Sequence, residues 1–220
     1  MLKTIRIIYE DDYLLVVDKP PGLLTVPTPR NERATLTNIL RDEGYSVYPC
    51  HRLDRDTSGL LIFARDKETF SRMSSLYRRR KIRKVYIAIL QGVLRKRAGV
   101  ITRYILENGR RLSARTEYRI VKSKSLFSVA EVYPLTGRTN QIRIHFNLIG
   151  HPLIGERRFA LAKDSPVKFR RTALHAVGVG FRHPYSKVSV RLRCELPADM
   201  RTFLESHGAG YSLGAMVQGA

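Results

Sequence analysis

Acidic residues are scarce in this chain of 220: nineteen Asp and Glu stand against forty Lys and Arg, a formal charge of +21 at pH 7. Such an excess repels itself and costs stability, so it points to a polyanionic partner. Nucleic acid fits best, because neutralised phosphates release condensed counterions, and a guanidinium contacts phosphate with two donors. Cysteine is nearly absent. Cys50 and Cys194 lie far apart with no CxxC spacing, which indicates neither a zinc site nor a disulfide framework. No apolar run approaches the roughly 20 residues that cross a bilayer. The start, Met1-Leu2-Lys3-Thr4, lacks the pattern of a secretory signal. The expectation is a cytoplasmic or organelle-matrix protein that does not enter membranes. Repeats, low-complexity linkers and compositional boundaries are missing as well, so one domain is expected. The hydrophobic fraction, 43%, is enough to build its core.

The apolar pattern places short strands at Ile5 to Tyr9 and Leu14 to Asp18, ended by Lys19-Pro20-Pro21-Gly22. Thr35 caps a short helix with Leu36, Ile39 and Leu40 on one face. Asp66 caps another, with Phe70, Met73, Leu76 and Tyr77 at helical spacing. That helix runs into Arg78-Arg79-Arg80-Lys81-Ile82-Arg83-Lys84, more cations than a helix dipole uses, which reads as a phosphate-facing patch or a solvated basic face. Further strands are expected at 85–90, 116–121, 126–133, 176–181 and 187–194. In the last, Val188, Val190 and Leu192 alternate with Ser189, Arg191 and Arg193. A helix over Asn140 to Ile149, capped by Thr139, should bury Ile142, Phe146 and Ile149. A last short helix covers Asp199 to Glu205, and a glycine-rich tail starts at Gly208. Many strands with few interspersed helices make this an α+β chain with a mostly antiparallel or mixed sheet.

Three stretches carry chemistry. In His51-Arg52-Leu53-Asp54-Arg55-Asp56-Thr57-Ser58-Gly59-Leu60-Leu61-Ile62-Phe63-Ala64, a charged turn leads straight into an apolar strand, the place where rigid scaffolds hold reactive groups. The arginines beside Asp54 favour its ionised form, as a nucleophile, a base or a structural ion pair. In Leu135-Thr136-Gly137-Arg138-Thr139-Asn140-Gln141-Ile142-Arg143-Ile144-His145, a turn opens a helix whose first amides can face an anion, and Arg143 can reach a carboxylate or a phosphate. In Lys84-Val85-Tyr86-Ile87-Ala88, Tyr86 is either core or a platform for a base.

These residues resemble the RluA family of RNA pseudouridine synthases. His51 to Ala64 is similar to its HRLDxxTSGLLxxA signature. Asp12 to Gly22 is similar to its opening motif, Lys84 to Ala88 to KxYxA, and Gly137 to His145 to GRTHQIRxH. Leu174-His175-Ala176 with Phe181-Arg182-His183-Pro184 is similar to the closing block. The likeness spans about residues 5 to 205. Two departures are Asn140, where the family usually has His, and Glu156, where it usually has Asp; neither position is assigned to chemistry. The resemblance implies one catalytic domain over 1–207, with flanking helices and a central active-site cleft, followed by a flexible tail over 208–220. There is no room for the small N-terminal RNA-binding domain of longer members, so the catalytic domain's own basic surface must grip the RNA.

The implied reaction detaches uracil from its ribose, rotates it and rejoins it through carbon-5, without cofactor or metal. By resemblance Asp54 is the catalytic carboxylate, as nucleophile or as the base that generates a glycal. Arg143 pairs with it, Arg138 being the second choice, and Tyr86 stacks under the base and assists proton removal at carbon-5. The uridine must flip out of its stack. Arg52 fills the vacated space, Lys84 and Arg138 contact RNA, and Leu174 packs against the uracil pocket. His175 is expected to be structural, and His51 has no assigned role. The partner is transfer RNA, ribosomal RNA or both, bound by a monomer. The loops Thr28 to Arg33 and Leu161 to Arg171 are candidates for reading its shape. A non-catalytic RNA-binding or ribosome-assembly protein of the same fold is the alternative. A glycosidase or nuclease fits poorly, because Asp56 is too close to Asp54 to serve as a second carboxylate and metal ligands are not evident.

Overall fold

A computed structural model describes residues 5–29, 32–160 and 167–211. In chain order its elements are β1 (Arg6–Glu10), β2 (Leu14–Lys19), α1 (Leu36–Asp42), β3 (Tyr48–Pro49), β4 (Ser58–Ala64), α2 (Lys67–Arg78) and β5 (Arg83–Gln91). These are followed by β6 (Ala98–Glu107), β7 (Arg110–Lys124), β8 (Phe127–Pro134), α3 (Gln141–Leu148), β9 (Leu174–Arg182), β10 (Ser189–Arg193) and α4 (Ala198–Ser206). The class is α+β, as the sequence pattern implies. Over the described residues the chain divides into two compact units, one made of those up to 83 with 176–197, the other of those in 84–175 with 198–211.

In the first unit β1, β2, β4 and β9 lie side by side in that order, with β3 beside β4 and β10 beside β9. β4 is buried along its whole length, which explains its unbroken apolar run. Leu14 and Val16 of β2, Leu60 and Ile62 of β4, Met73 of α2, and Val179 and Phe181 of β9 form one apolar cluster. Both expected caps are present. The Thr35 hydroxyl accepts from the Asn38 amide at 3.3 Å, and Asp66 accepts from the Thr69 amide at 2.8 Å. On α2 the buried face is narrower than its spacing suggests: Met73 is fully buried, while Phe70 is exposed. The cations that follow, Arg78, Arg79, Arg80, Lys81 and Arg83, all face solvent.

In the second unit the order is β5, β8, β7, β6, every neighbouring pair antiparallel. β6 is a strand that the apolar pattern does not reveal. Its buried face carries Ile101 and Ile105, but its exposed face carries Val100, Tyr104 and Leu106, so the period-two contrast disappears. Phe146 of α3 meets the Tyr118 ring edge-on at 5.5 Å, and Phe203 of α4 packs on Phe127 at 5.2 Å. Of the expected loose tail, Gly208 and Ala209 donate their amides back to Glu205 and Leu204 of α4, and Ala209 is buried. Residues 212–220 lie outside the described residues, as do Met1 to Thr4, Arg30 and Asn31 of the first candidate recognition loop, and 161–166 of the second.

Candidate active site

Asp54 and Arg52 belong to the first unit, where the chain approaches β4. The loop that carries them is held from below by the segment Lys19 to Thr25. Lys19 is fully buried, and its ammonium donates to three carbonyls: Pro20 at 2.9 Å, Leu23 at 2.8 Å and Arg55 at 3.1 Å. The Gly22 amide donates to the same Arg55 carbonyl at 2.9 Å, and Arg55 returns a bond from Nε to the Gly22 carbonyl at 3.1 Å. The buried Thr25 hydroxyl takes the Leu53 amide at 3.2 Å and donates to the Leu53 carbonyl at 3.1 Å. The Asp54 carbonyl accepts from the Thr57 amide at 3.1 Å. Residues 53 and 55 are thus anchored on both sides of Asp54. Asp54 is half-buried, whereas Arg52 is exposed. The sequence reading places Lys19 in the break after the second strand and in the opening motif and gives Thr25 no role, so it misses that the two form the cradle. The signal was there, because an interior lysine is costly unless its three donors are met.

His51, without a role in the sequence reading, accepts from the Ile62 amide through Nε2 at 3.1 Å, so it braces β4. His183 of the closing block sits 3.1 Å from Asp11, which also accepts from the Tyr9 hydroxyl and the amides of Tyr13 and Leu14. That cluster closes a turn. Cys50 and Cys194 are free thiols, and burial raises the pKa of each, that of Cys50 to about 12, so neither is a nucleophile at neutral pH.

The remaining candidates, Tyr86, Lys84, Arg138, Arg143 and Leu174, belong to the second unit. Tyr86 opens the β5–β8 pairing opposite Val132 and is buried, as is Leu174 at the start of β9. Lys84 is half-buried and makes no hydrogen bond or ion pair among the described residues. Its ammonium lies where a side chain at Gly137 would begin, 3.7 Å from an added Cβ. Burial alone lowers its pKa to about 8. Lys84 and the Gly137-Arg138 turn are therefore brought together. Gln141, buried, fixes that turn: its oxygen accepts from the Thr136 hydroxyl and the Arg138 amide, and its nitrogen donates to the Arg115 carbonyl and the Thr116 hydroxyl.

Two expectations about this segment are corrected. The N-cap of α3 is Asn140, in a left-handed conformation with φ 55° and no capping bond from its side chain. The Thr139 hydroxyl and amide turn instead to the Glu107 carboxylate of β6, so the anion at this turn is one of the chain's own. The departures Asn140 and Glu156 are also not remote from chemistry, since both bind Arg143. Glu156 accepts from Arg143 Nε at 2.6 Å and Nη2 at 2.8 Å, and Asn140 accepts from Nη1 at 2.6 Å. Burial works against the charge on Glu156, but the Arg143 hydrogen bonds and the amides of Arg158 and Phe159 outweigh it and hold its pKa below the ordinary range. His145, the last residue of the block, is fully buried with no hydrogen-bond partner for either ring nitrogen among the described residues. Desolvation, helped by Arg103, lowers its pKa to about 4, so it stays neutral.

Similar architecture occurs in two solved human proteins, RNA pseudouridylate synthase domain containing 4 and domain containing 1. The first has a TM-score of 0.75 at 23% identity over 91% of this chain and 92% of that one. The second has 0.73 at 22% identity over 95% and 96%. The fold is that of the pseudouridine synthases, a class of RNA-modifying isomerases. Residues 13–148 match the family model described as RNA pseudouridylate synthase. The chain is 33% identical to ribosomal large subunit pseudouridine synthase D of Nitrosomonas europaea, over 92% of this chain and 65% of that protein. It is equally 33% identical to the dual-specificity RNA pseudouridine synthase RluA of Vibrio cholerae, over 83% of this chain and 79% of that protein. The chain belongs to the RNA pseudouridylate synthase family, in its RluA branch, and its reaction is the isomerisation of uridine to pseudouridine in RNA.

Proposed function

We propose that this chain modifies one or a few uridines of transfer RNA, ribosomal RNA or both, in the cytoplasm, as a monomer whose catalytic domain runs through residue 207. The observation that carries the assignment of Asp54 is its doubly anchored loop. A buried lysine and a buried threonine fix the residues on either side of one half-buried carboxylate. After the uridine flips out, Asp54 attacks the sugar or takes a proton from it, and the N1–C1′ bond breaks. The uracil turns and C5 bonds to C1′ as the Asp54 ester is displaced or the proton Asp54 took is returned to the sugar. The C5 proton then leaves and N1 is protonated, so the product is an isomer of the substrate. Arg143 keeps the carboxylate ionised and oriented. Tyr86 stacks on the base and assists removal of the C5 proton. Arg52, exposed beside Asp54, replaces the flipped base, while Leu174 packs against the uracil.

The test is pseudouridine mapping of cellular RNA from cells with and without the gene, complemented with the wild type or with Asp54→Asn. Loss of one or a few sites that only the wild type restores is the expected result. An unchanged map would refute the activity at any non-redundant site.

Lys84 and Arg138 are read here as phosphate contacts, and Lys84 gives that reading a measurable cost. Its folded pKa of about 8 lies below the ordinary 10.5, so the charged form is disfavoured by folding. The penalty is present in full below pH 8 and fades as the pH rises from 8 through 10.5. Discounted for its half-exposure, it amounts to about 1–2 kcal/mol. Lys84→Met should therefore raise the Tm by about 3–6 °C at pH 7, with the gain shrinking towards pH 10.5, and should weaken RNA binding. Calorimetry and filter binding check both. A variant that is neither more stable nor weaker in binding removes the phosphate role.

A further inference from the structure

Glu156, Asn140 and the Phe159 ring hold Arg143. Glu156 is completely buried and takes two parallel bonds from the guanidinium. It is held in turn by the Arg158 amide at 2.8 Å and the Phe159 amide at 3.3 Å, both donating to the oxygen that accepts from Nη2. Gly155 directs the carboxylate inward. It has φ +73°, and a Cβ there would lie 2.6 Å from the Arg171 carbonyl carbon, so the backbone turn that aims Glu156 is available to glycine alone. From the opposite edge Asn140 accepts from Nη1. Its left-handed backbone removes it from the capping role usual for asparagine at a helix start and turns its side chain to the arginine. The Phe159 ring lies 5.2 Å from the guanidinium carbon.

We infer that Glu156 and Asn140 are positioning residues that set the plane and reach of the Arg143 guanidinium, so that turnover depends on two side chains that touch neither RNA nor the reacting atoms. This rests on the reading of Arg143 as a catalytic residue. The physical basis is freedom removed. An arginine carries four side-chain torsions, and a bidentate carboxylate on one edge with an amide oxygen on the other leaves it one orientation. A misplacement of about 1 Å at such a group costs on the order of 100-fold in rate. Glutamine at 156 keeps the shape but turns an amide N–H against a guanidinium N–H, so the plane must tilt. Alanine at 140 removes the Nη1 acceptor that Asn140 supplies without opening the core, because Asn140 is only half-buried. Aspartate at 140 keeps the acceptor.

The experiment measures single-turnover tritium release from 5-tritiated uridine RNA, alongside the RNA Kd, the Tm and the pH profile. The substrates are unmodified transfer and ribosomal RNA transcripts. Glu156→Gln should lower kcat by about 30–100-fold and Asn140→Ala by about 5–10-fold, each with Kd changed less than threefold. Asn140→Asp should stay within about twofold of wild type. In the pH profile, Glu156→Gln should lose the contribution that protonation of Glu156 makes to the acid limb. Should Glu156→Gln fail to fold, the Asn140 pair decides. If Arg143→Lys destroys turnover while Asn140→Ala and folded Glu156→Gln keep it, the positioning role is overturned and the catalytic reading of Arg143 stands. If Arg143→Lys turns over normally, the catalytic reading fails, and the clamp is structural.

Discussion

Asp54→Asn should abolish pseudouridine formation, by at least about 10^4-fold, while RNA still binds and the protein still melts where the wild type does. The amide is nearly isosteric with the carboxylate, and the bonds from Lys19 and Thr25 that anchor the loop go to backbone carbonyls and amides. The Lys19 ammonium holds the carbonyls of Pro20, Leu23 and Arg55, and Thr25 holds both backbone groups of Leu53. The substitution should leave that scaffold standing and remove only a group able to attack carbon or take a proton. Single-turnover tritium release and filter binding on the same RNA separate the two effects. Residual turnover within tenfold of wild type would mean that another group carries the chemistry. Loss of binding in step with turnover would mean that Asp54 shapes the RNA site instead of reacting in it.

The second large effect is on folding. Gly59→Ala should destabilise the protein by about 3–5 kcal/mol and lower its Tm by roughly 10 °C. Gly59 has φ +111°, a conformation that L side chains rarely adopt. An added Cβ would also lie 2.6 Å from the Ala176 nitrogen and 2.7 Å from its carbonyl carbon, and backbone, unlike a flexible side chain, cannot swing away. Gly22 is the control. It too has a positive φ, +83°, but an added Cβ there meets nothing within 4 Å, so Gly22→Ala bears only the conformational cost of about 1–2 kcal/mol. Thermal melts of the two variants side by side check this. Equal Tm losses would show that β9 shifts to admit the methyl group, and the crowding argument would fall.

Much of the site was legible because chemistry and local structure coincide along the chain. A charged turn running into the apolar stretch from Leu60 to Ala64 announces a reactive loop on a core strand, and β4 is that strand, buried throughout. Thr35 and Asp66 cap their helices because capping depends only on residues within one turn. What failed was of two kinds. β6 escaped because Tyr104 and Leu106 sit on its exposed face, where a periodicity argument requires polar residues. Thr139 looked like a cap because the residue type fits, yet Glu107, from a strand the pattern does not show, claims its hydroxyl and its amide. One partner of Arg143 was beyond reach for a related reason. Asn140, three residues away, is within helical reach, but Glu156 stands thirteen away at the end of a separate loop, and nothing in spacing or period connects it to Arg143.

The sequence by itself determined the class of most strands and helices and the basic character that suits an RNA substrate, and through its motif it singles out the carboxylate proposed to react. Each of those depends on residue type and near neighbours, which a linear chain contains in full. Only the tertiary structure decided what each charged group is paired with. Lys19 turned out to be a buried scaffold and Lys84 a half-buried cation with no partner among the described residues, although both are lysines beside a motif. A charge is stabilised or penalised by whatever lies within a few ångströms of it, and in a folded chain those neighbours come from segments that the sequence keeps apart.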